Sequence, residues 1–249
     1  MRVLLLGGTT EAGRLAQALA DAGIDAVYSF AGRTENPVVP PVPCRTGGFG
    51  GIAGLIQFLD TGAITHVVDA THPFAAQISR HAMAACAALS LPLVTIERPP
   101  WTPGPDDRWT HVADVAAAVA ALPCTPAHVF LAIGRQEAAA FAAAPRHRYL
   151  LRLVDAGLVA GLPDAVTVIA RGPFTLDGDV ALMRANATQL VVARNAGGDG
   201  ARAKLDAARA LDLPVILIDR PAYPGGRVIA ESVAGVMDWL CGHPANLGV

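Results

Sequence analysis

Short runs that are apolar at every position alternate along this chain with longer Ala-rich stretches whose apolar residues recur at helical spacing. Runs that lack polar alternation read as strands of a parallel sheet covered on both faces. They predict strands at Val3–Leu6, Ala26–Phe30, His66–Asp69, Leu93–Ile96, Val129–Ile133, Tyr149–Leu153, Val166–Ala170, Leu190–Ala193 and Val215–Ile218. The helical spacing predicts helices at Glu11–Ala22, Gly51–Leu59, Ala75–Leu89, Val115–Ala121, Gln136–Ala143, Leu176–Ala187, Ala201–Leu211 and Ser232–Cys241. A strand–helix rhythm sustained over the whole length points to a doubly wound α/β fold with parallel sheets.

The pattern also repeats itself. Ala88–Trp101 (ALSLPLVTIERPPW) is echoed by Ala210–Tyr223 (ALDLPVILIDRPAY), and Val3–Ala12 by Val129–Ala138. Val67–Ala70 stands opposite Val191–Arg194. A repeat this long is too large for a solenoid unit and predicts two related Rossmann-like domains. The aperiodic stretch Arg98–Trp109, rich in Pro, Gly and Asp, is the best boundary. The expected domains are therefore residues 1–99 and 100–249, with ligands meeting in the cleft between them.

Composition narrows the classes. Hydrophobic residues make up 53% and charged ones 16%, which excludes extensive disorder. A net charge of −2 gives no general pull toward nucleic acid or an anionic membrane surface. The four cysteines are far apart and form no C-x-x-C, so neither a disulfide framework nor a zinc site is expected. No metal-ligand spacing links the histidines. The apolar start MRVLLLGG is too short for a signal-peptide core, and no run is long enough to span a membrane. A soluble cytoplasmic protein is expected.

Candidate chemistry sits where predicted strands end. Gly8, Thr9, Thr10 and Glu11 follow the first strand and open a helix. Glycines there let backbone N–H groups approach a phosphate at the helix N-terminus, whereas the plain alternative is a tight turn. Arg33 lies just past the second strand, where an arginine accommodates the 2′-phosphate of NADP and an acid would hold an unmodified ribose. Asp69, Thr71, His72 and Phe74 crowd the end of a third strand, with Thr71 or His72 available to cap the next helix. In the second half Arg135, Arg171, Arg194 and Arg220 leave strand ends, as does Arg98 in the first. Lys204, the sole lysine, opens a helix after the glycine-rich Arg194–Gly200. Cations gathered on one edge suit a carboxylate-rich ligand. No nucleophile motif stands out, and a hydride-transfer enzyme needs none, because the cofactor carries the chemistry.

The set GGTTEAGRLA, AGRT, GGFGG, DATHPFA, IERPPW and the late AGG-x-G-x-x-x-K-L-x-A-A resembles the precorrin-6A reductase family of cobalamin biosynthesis, in the same order along nearly the whole chain. The resemblance implies NADPH-dependent reduction of one double bond of a tetrapyrrole macrocycle, with hydride to one carbon and a proton to its neighbour. It extends the coenzyme set to Thr34, Gly48 and Phe49 and makes Arg98, Arg135, Arg171, Arg194, Lys204 and Arg220 the carboxylate ligands. Asp69, His72 and water remain open as proton donor. Arg194 and Ala196 stand where the family pattern has Lys and Ser, which keeps the charge and removes a hydroxyl. A monomer in transient contact with neighbouring pathway enzymes is expected. The alternatives are an NADP-dependent reductase of another polyanion and a non-catalytic NADP-sensing module.

Overall fold

The computed structural model describes residues 1–32, 38–155, 157, 159–162, 164–223 and 227–243. It divides into two compact units, Met1–Arg98 together with the chain from Ala222 onward, and Pro99–Pro221.

The first unit holds a six-stranded parallel sheet in the order β12-β5-β4-β1-β2-β3, built from β1 (Arg2–Leu6), β2 (Asp25–Phe30), β3 (Cys44–Thr46), β4 (His66–Asp69), β5 (Leu93–Ile96) and β12 (Val228–Ala230). Every pairing in it is parallel. Its helices are α1 (Thr10–Asp21), α2 (Gly51–Thr61), α3 (Ala76–Leu89) and α8 (Val233–Gly242). The wholly apolar first strand makes sense in this setting. Val3 and Leu5 face a cluster with Leu15 and Leu19 of α1 and Val236 and Leu240 of α8. Leu4 and Leu6 face Leu55 and Leu59 of α2 and Ala82 and Cys86 of α3. Burying each such leucine contributes about 1.5–3 kcal/mol, so neither face of β1 tolerates a polar residue.

The second unit repeats the plan in the order β6-β11-β10-β7-β8-β9, again all parallel. Its strands are β6 (Trp109–Val112), β7 (His128–Ala132), β8 (Arg148–Leu153), β9 (Val166–Ile169), β10 (Leu190–Arg194) and β11 (Val215–Ile218). Its helices are α4 (Val115–Ala120), the single turn α5 (Arg135–Ala138) continued by a 3₁₀ turn, α6 (Leu176–Ala185) and α7 (Ala203–Ala210). Strands β7, β8, β9, β10 and β11 occupy the places of β1, β2, β3, β4 and β5, which is the internal echo in three dimensions.

The end of the chain departs from expectation. Residues 100–249 were expected to form one domain, yet from Ala222 the chain rejoins the first unit. There β12 adds to the β5 edge through Val228–Val94, Ile229–Thr95 and Ala230–Ile96, and α8 covers the Val3/Leu5 face. Without α8 that face would expose the leucines of α1 and β1 to water, which explains why the segment returns. The sixth strand of each sheet thus comes from beyond a crossing, β6 after Arg98 and β12 after Pro221.

Candidate functional site

In the first sheet the strand order reverses between β1 and β4, and ligands of open α/β sheets bind outside the carboxyl ends at such a point. A cleft of about 760 Å³ lies there, walled by the ends of β1, β2 and β3, by the turn after β4 and by the start of α3. Gly8, Gly48, Phe49, Thr71, His72 and Phe74, all read from sequence as coenzyme residues, line it. Arg33 and Thr34 lie outside the described residues, but Phe30, Ala31 and Gly32 just before them are on the wall.

The remaining residues of the expected phosphate turn do other work. Thr9 is the N-cap of α1: its Oγ1 accepts from the Ala12 N–H at 3.1 Å and donates to the Ala70 carbonyl at 2.8 Å. One hydroxyl therefore fixes the helix start and ties the β1 turn to the β4 turn. Thr10 is exposed as the first residue of α1 and is not on the cleft wall. Glu11 pairs with Arg98 at 2.7 Å. Burial alone would raise the Glu11 carboxyl, but the Arg98 hydrogen bond and charge hold it below its ordinary range. Arg98, expected among substrate ligands, is thus engaged inside the first unit.

Asp69 is 3% exposed and not on the cleft wall. Its Oδ1 accepts from the Thr71 N–H at 3.1 Å and from Thr71 Oγ1 at 2.7 Å, which shapes the turn out of β4. His72 does line the cleft, and its Nδ1 accepts from the Phe74 N–H at 3.3 Å. A neutral ring that accepts at Nδ1 carries its proton on Nε2. Neither Thr71 nor His72 caps α3, whose N-cap is Ala75 without a side-chain bond.

Two parts of the site escape sequence reading, and a third, on α3, is signalled only by its place after DATHPFA. Tyr28 Oη accepts from the Gly8 N–H at 2.8 Å, and a Cβ on Gly7 would fall 2.1 Å from Tyr28 Cζ, so Gly7 is bare to admit the phenol. Burial raises the Tyr28 pKa, which keeps the hydroxyl neutral. Arg45, at β3, donates to Ser29 Oγ at 2.8 Å and to the Gly47 and Gly48 carbonyls at 2.9 Å, with its guanidinium 4.0 Å from the Phe49 ring centroid. It is the strut of the glycine loop at residues 47–51. Gln77, Arg80 and His81 project from α3 onto the cleft wall, Arg80 being exposed. The only signal for the α3 residues was their nearness to DATHPFA; for Tyr28 and Arg45 there was none.

The glycines of the cleft separate into two kinds. Gly8, Gly47 and Gly50 have φ of +120°, +116° and +78°, values that favour glycine whatever is nearby. Gly48 has no such φ, and a Cβ built on it would meet nothing within 4 Å. Neither backbone nor packing requires glycine there. Gly48 is exposed on the cleft wall, and the space in front of it is open.

In the second unit the cations leave the carboxyl ends of one parallel sheet: Arg220 after β11, Arg194 ending β10, Arg135 after β7 and Arg171 after β9. Arg135 and Arg171 are exposed. Arg135 donates to the Asp155 carbonyl at 2.6 Å, and Arg194 stands 3.2 Å from Glu137. Arg220 donates to the carbonyls of Asn195 and Ala196, both at 3.0 Å, bracing the loop after β10. Lys204 is only 5% exposed, donates to the Ala201 carbonyl and lies 4.9 Å from the Trp101 ring centroid. Among the described residues no helix is long and apolar enough to cross a membrane.

Comparison with known proteins follows the same lines. Residues 2–241 match the family model described as precorrin-6x reductase CbiJ/CobK. The chain is 61% identical over 247 residues to precorrin-6A reductase of Rhodobacter capsulatus, covering 98% of each chain. It is 45% identical over 240 residues to precorrin-6A reductase of Rhodococcus erythropolis, covering 96% of this chain and 97% of that one. A solved structure of CobK precorrin-6A reductase superposes with a TM-score of 0.93 at 60% identity, covering 98% of both chains.

Proposed function

The chain belongs to the precorrin-6x reductase (CbiJ/CobK) family, and on that footing we propose how its two units divide the work of a precorrin-6A reductase in cobalamin biosynthesis. The coenzyme is NADPH, bound in the glycine-lined cleft of the first unit. The macrocycle's carboxylates are held by Arg135, Arg171, Arg194 and Arg220 along the carboxyl edge of the second sheet.

The cleft of about 760 Å³ carries the coenzyme reading, because glycines, among them the exposed Gly48, line it and leave its wall bare. The sheet order supports it, since the cleft lies at the reversal between β1 and β4. Bound there, NADPH supplies a hydride for one carbon of a macrocycle double bond. The chain's own tasks are positioning and charge. The Gly8 N–H is held by Tyr28, the 47–51 loop is stiffened by Arg45, and the β4 turn is set by Asp69 through Thr71. Asp69 is spent on that turn, so the accompanying proton comes from His72 or from water. Arginine suits the second sheet because its planar fork grips a carboxylate in two places and stays charged at any working pH. Cys44, Cys86, Cys124 and Cys241 are all free thiols, which suits a reducing cytoplasm.

Anaerobic incubation of the full chain with precorrin-6A and NADPH tests the reading. Nicotinamide absorbance should fall in step with a change in the macrocycle spectrum, in 1:1 stoichiometry. NADPH binding without consumption would mean a sensing module instead.

A further inference from the structure

The chain crosses between the units at Arg98–Pro99 and returns at Pro221–Ala222, and three residues past each Arg-Pro arginine stands an aromatic residue: Trp101 after Arg98, Tyr223 after Arg220. The two are equivalent in the internal repeat. Each makes the same kind of contact within the unit it has just entered. Trp101 Nε1 donates to the Gly198 carbonyl at 2.8 Å, and Tyr223 Oη donates to the Pro73 carbonyl at 2.9 Å. Gly198 lies four residues beyond Arg194, the last residue of β10, and Pro73 four beyond Asp69, the last of β4. Strands β10 and β4 are themselves equivalent. Each ring also carries a cation, Lys204 at 4.9 Å from Trp101 and Arg227 at 4.0 Å from Tyr223.

Neither contact is a loose surface bond. Trp101 is 5% exposed, its N–H donates to Asn195 Oδ1 at 2.8 Å, and its carbonyl accepts from Asn195 Nδ2 at 3.0 Å. Gly197 must be glycine there, with φ +68° and a hypothetical Cβ only 2.2 Å from the Pro99 carbonyl oxygen. Tyr223 also hydrogen-bonds Ser79, which is 4% exposed, and Arg227 is fixed over its ring by Glu97 at 2.9 Å. Burial raises the Tyr223 pKa, so the phenol remains a donor at neutral pH.

We propose that Trp101 and Tyr223 are paired positioning residues, each locking the ligand-facing turn of the unit that the chain enters: Trp101 the β10 turn, Tyr223 the β4 turn. Assigning tetrapyrrole to the first turn and NADPH to the second rests on the function proposed above. A duplicated chain that crosses between its halves needs the entering segment to set the site, because a crossing segment held only by its strand would leave the turn free to shift.

Two conservative variants of the full chain, Tyr223→Phe and Trp101→Phe, test this with amide hydrogen exchange and steady-state kinetics. Each removes one donor and keeps a ring. The net worth of such a bond is about 1 kcal/mol, so exchange in the released turn should quicken about fivefold. Tyr223→Phe should do this for residues 70–79 and not 195–201; Trp101→Phe should do the reverse. KM for NADPH should rise about fivefold in Tyr223→Phe alone, and KM for precorrin-6A about fivefold in Trp101→Phe alone. Unchanged exchange, or equal quickening of both turns by one variant, overturns the proposal. Exchange that divides as stated while the KM changes do not follow it upholds the locks and instead refutes the placement of the ligands. Should Trp101→Phe fail to fold, Tyr223→Phe alone decides, since it loses a single hydroxyl from a partly exposed residue.

Discussion

Arg33→Ala should weaken NADPH binding by about 10- to 150-fold and leave NADH binding within about twofold, because one or two charge-assisted hydrogen bonds worth about 1.5–3 kcal/mol in all are lost. The only difference between the two coenzymes is the 2′-phosphate, so an effect confined to NADPH locates the arginine against that group. The expectation rests on order along the chain alone: Phe30, Ala31 and Gly32 line the cleft, and Arg33 is the next residue in the sequence. Arg80 is the competing cation, exposed on the same wall. Titration of both variants with NADPH and NADH separates them. Equal weakening of both coenzymes by Arg33→Ala, or a selective loss with Arg80→Ala alone, would remove Arg33 from the phosphate site.

Gly48→Val should weaken NADPH binding on the order of 100-fold, equivalent to about 2.7 kcal/mol, while folding stability changes by no more than about 0.5 kcal/mol. A Cβ built on this exposed residue has open space before it, and its φ lies outside the left-handed range that favours glycine, so a side chain there costs the folded chain little. The cost falls on whatever occupies the space in front of it. Gly48→Ala should fall between wild type and valine. The contrast with Gly7 is instructive, because a methyl group there strikes Tyr28 at 2.1 Å and must disturb the protein itself. Thermal unfolding and NADPH titration of the two Gly48 variants check the prediction; unaltered affinity in Gly48→Val would mean that the cleft is not the coenzyme site.

The legible part of the fold was the part carried by apolar runs long enough to stand alone. Strands such as VLLL and VVDA announced burial on both faces, and the repeat told how many sheets to expect. The strands not anticipated, β3 (CRT), β6 (WTHV) and β12 (VIA), are edge strands of three or four residues, two of them partly polar. Such segments become strands because a neighbour offers a ladder, and local pattern cannot show that offer. The return of β12 and α8 was hidden for a related reason: both halves have the same rhythm, so nothing in either says which sheet an edge strand will join. In the site, glycines and DATHPFA were readable because position after a strand constrains what they face. Tyr28 was read only as a strand residue, and Arg45 not at all, since their roles depend on atoms brought near by the sheet. Glu11 and Arg98, read separately as coenzyme and substrate ligands, turn out to satisfy each other. Lys204, conspicuous as the sole lysine, is buried against Trp101. Rarity in composition says nothing about exposure.

A coenzyme held in the first unit should pass its hydride directly to the tetrapyrrole, a transfer that isotope labelling can follow. Its most direct test is anaerobic turnover of precorrin-6A with NADPH deuterated at C4, using the two epimers in separate reactions, followed by mass spectrometry of the macrocycle product. Direct transfer gives a product one mass unit heavier from one epimer and an unlabelled product from the other. Unlabelled product from both epimers, with NADPH consumed, would contradict it.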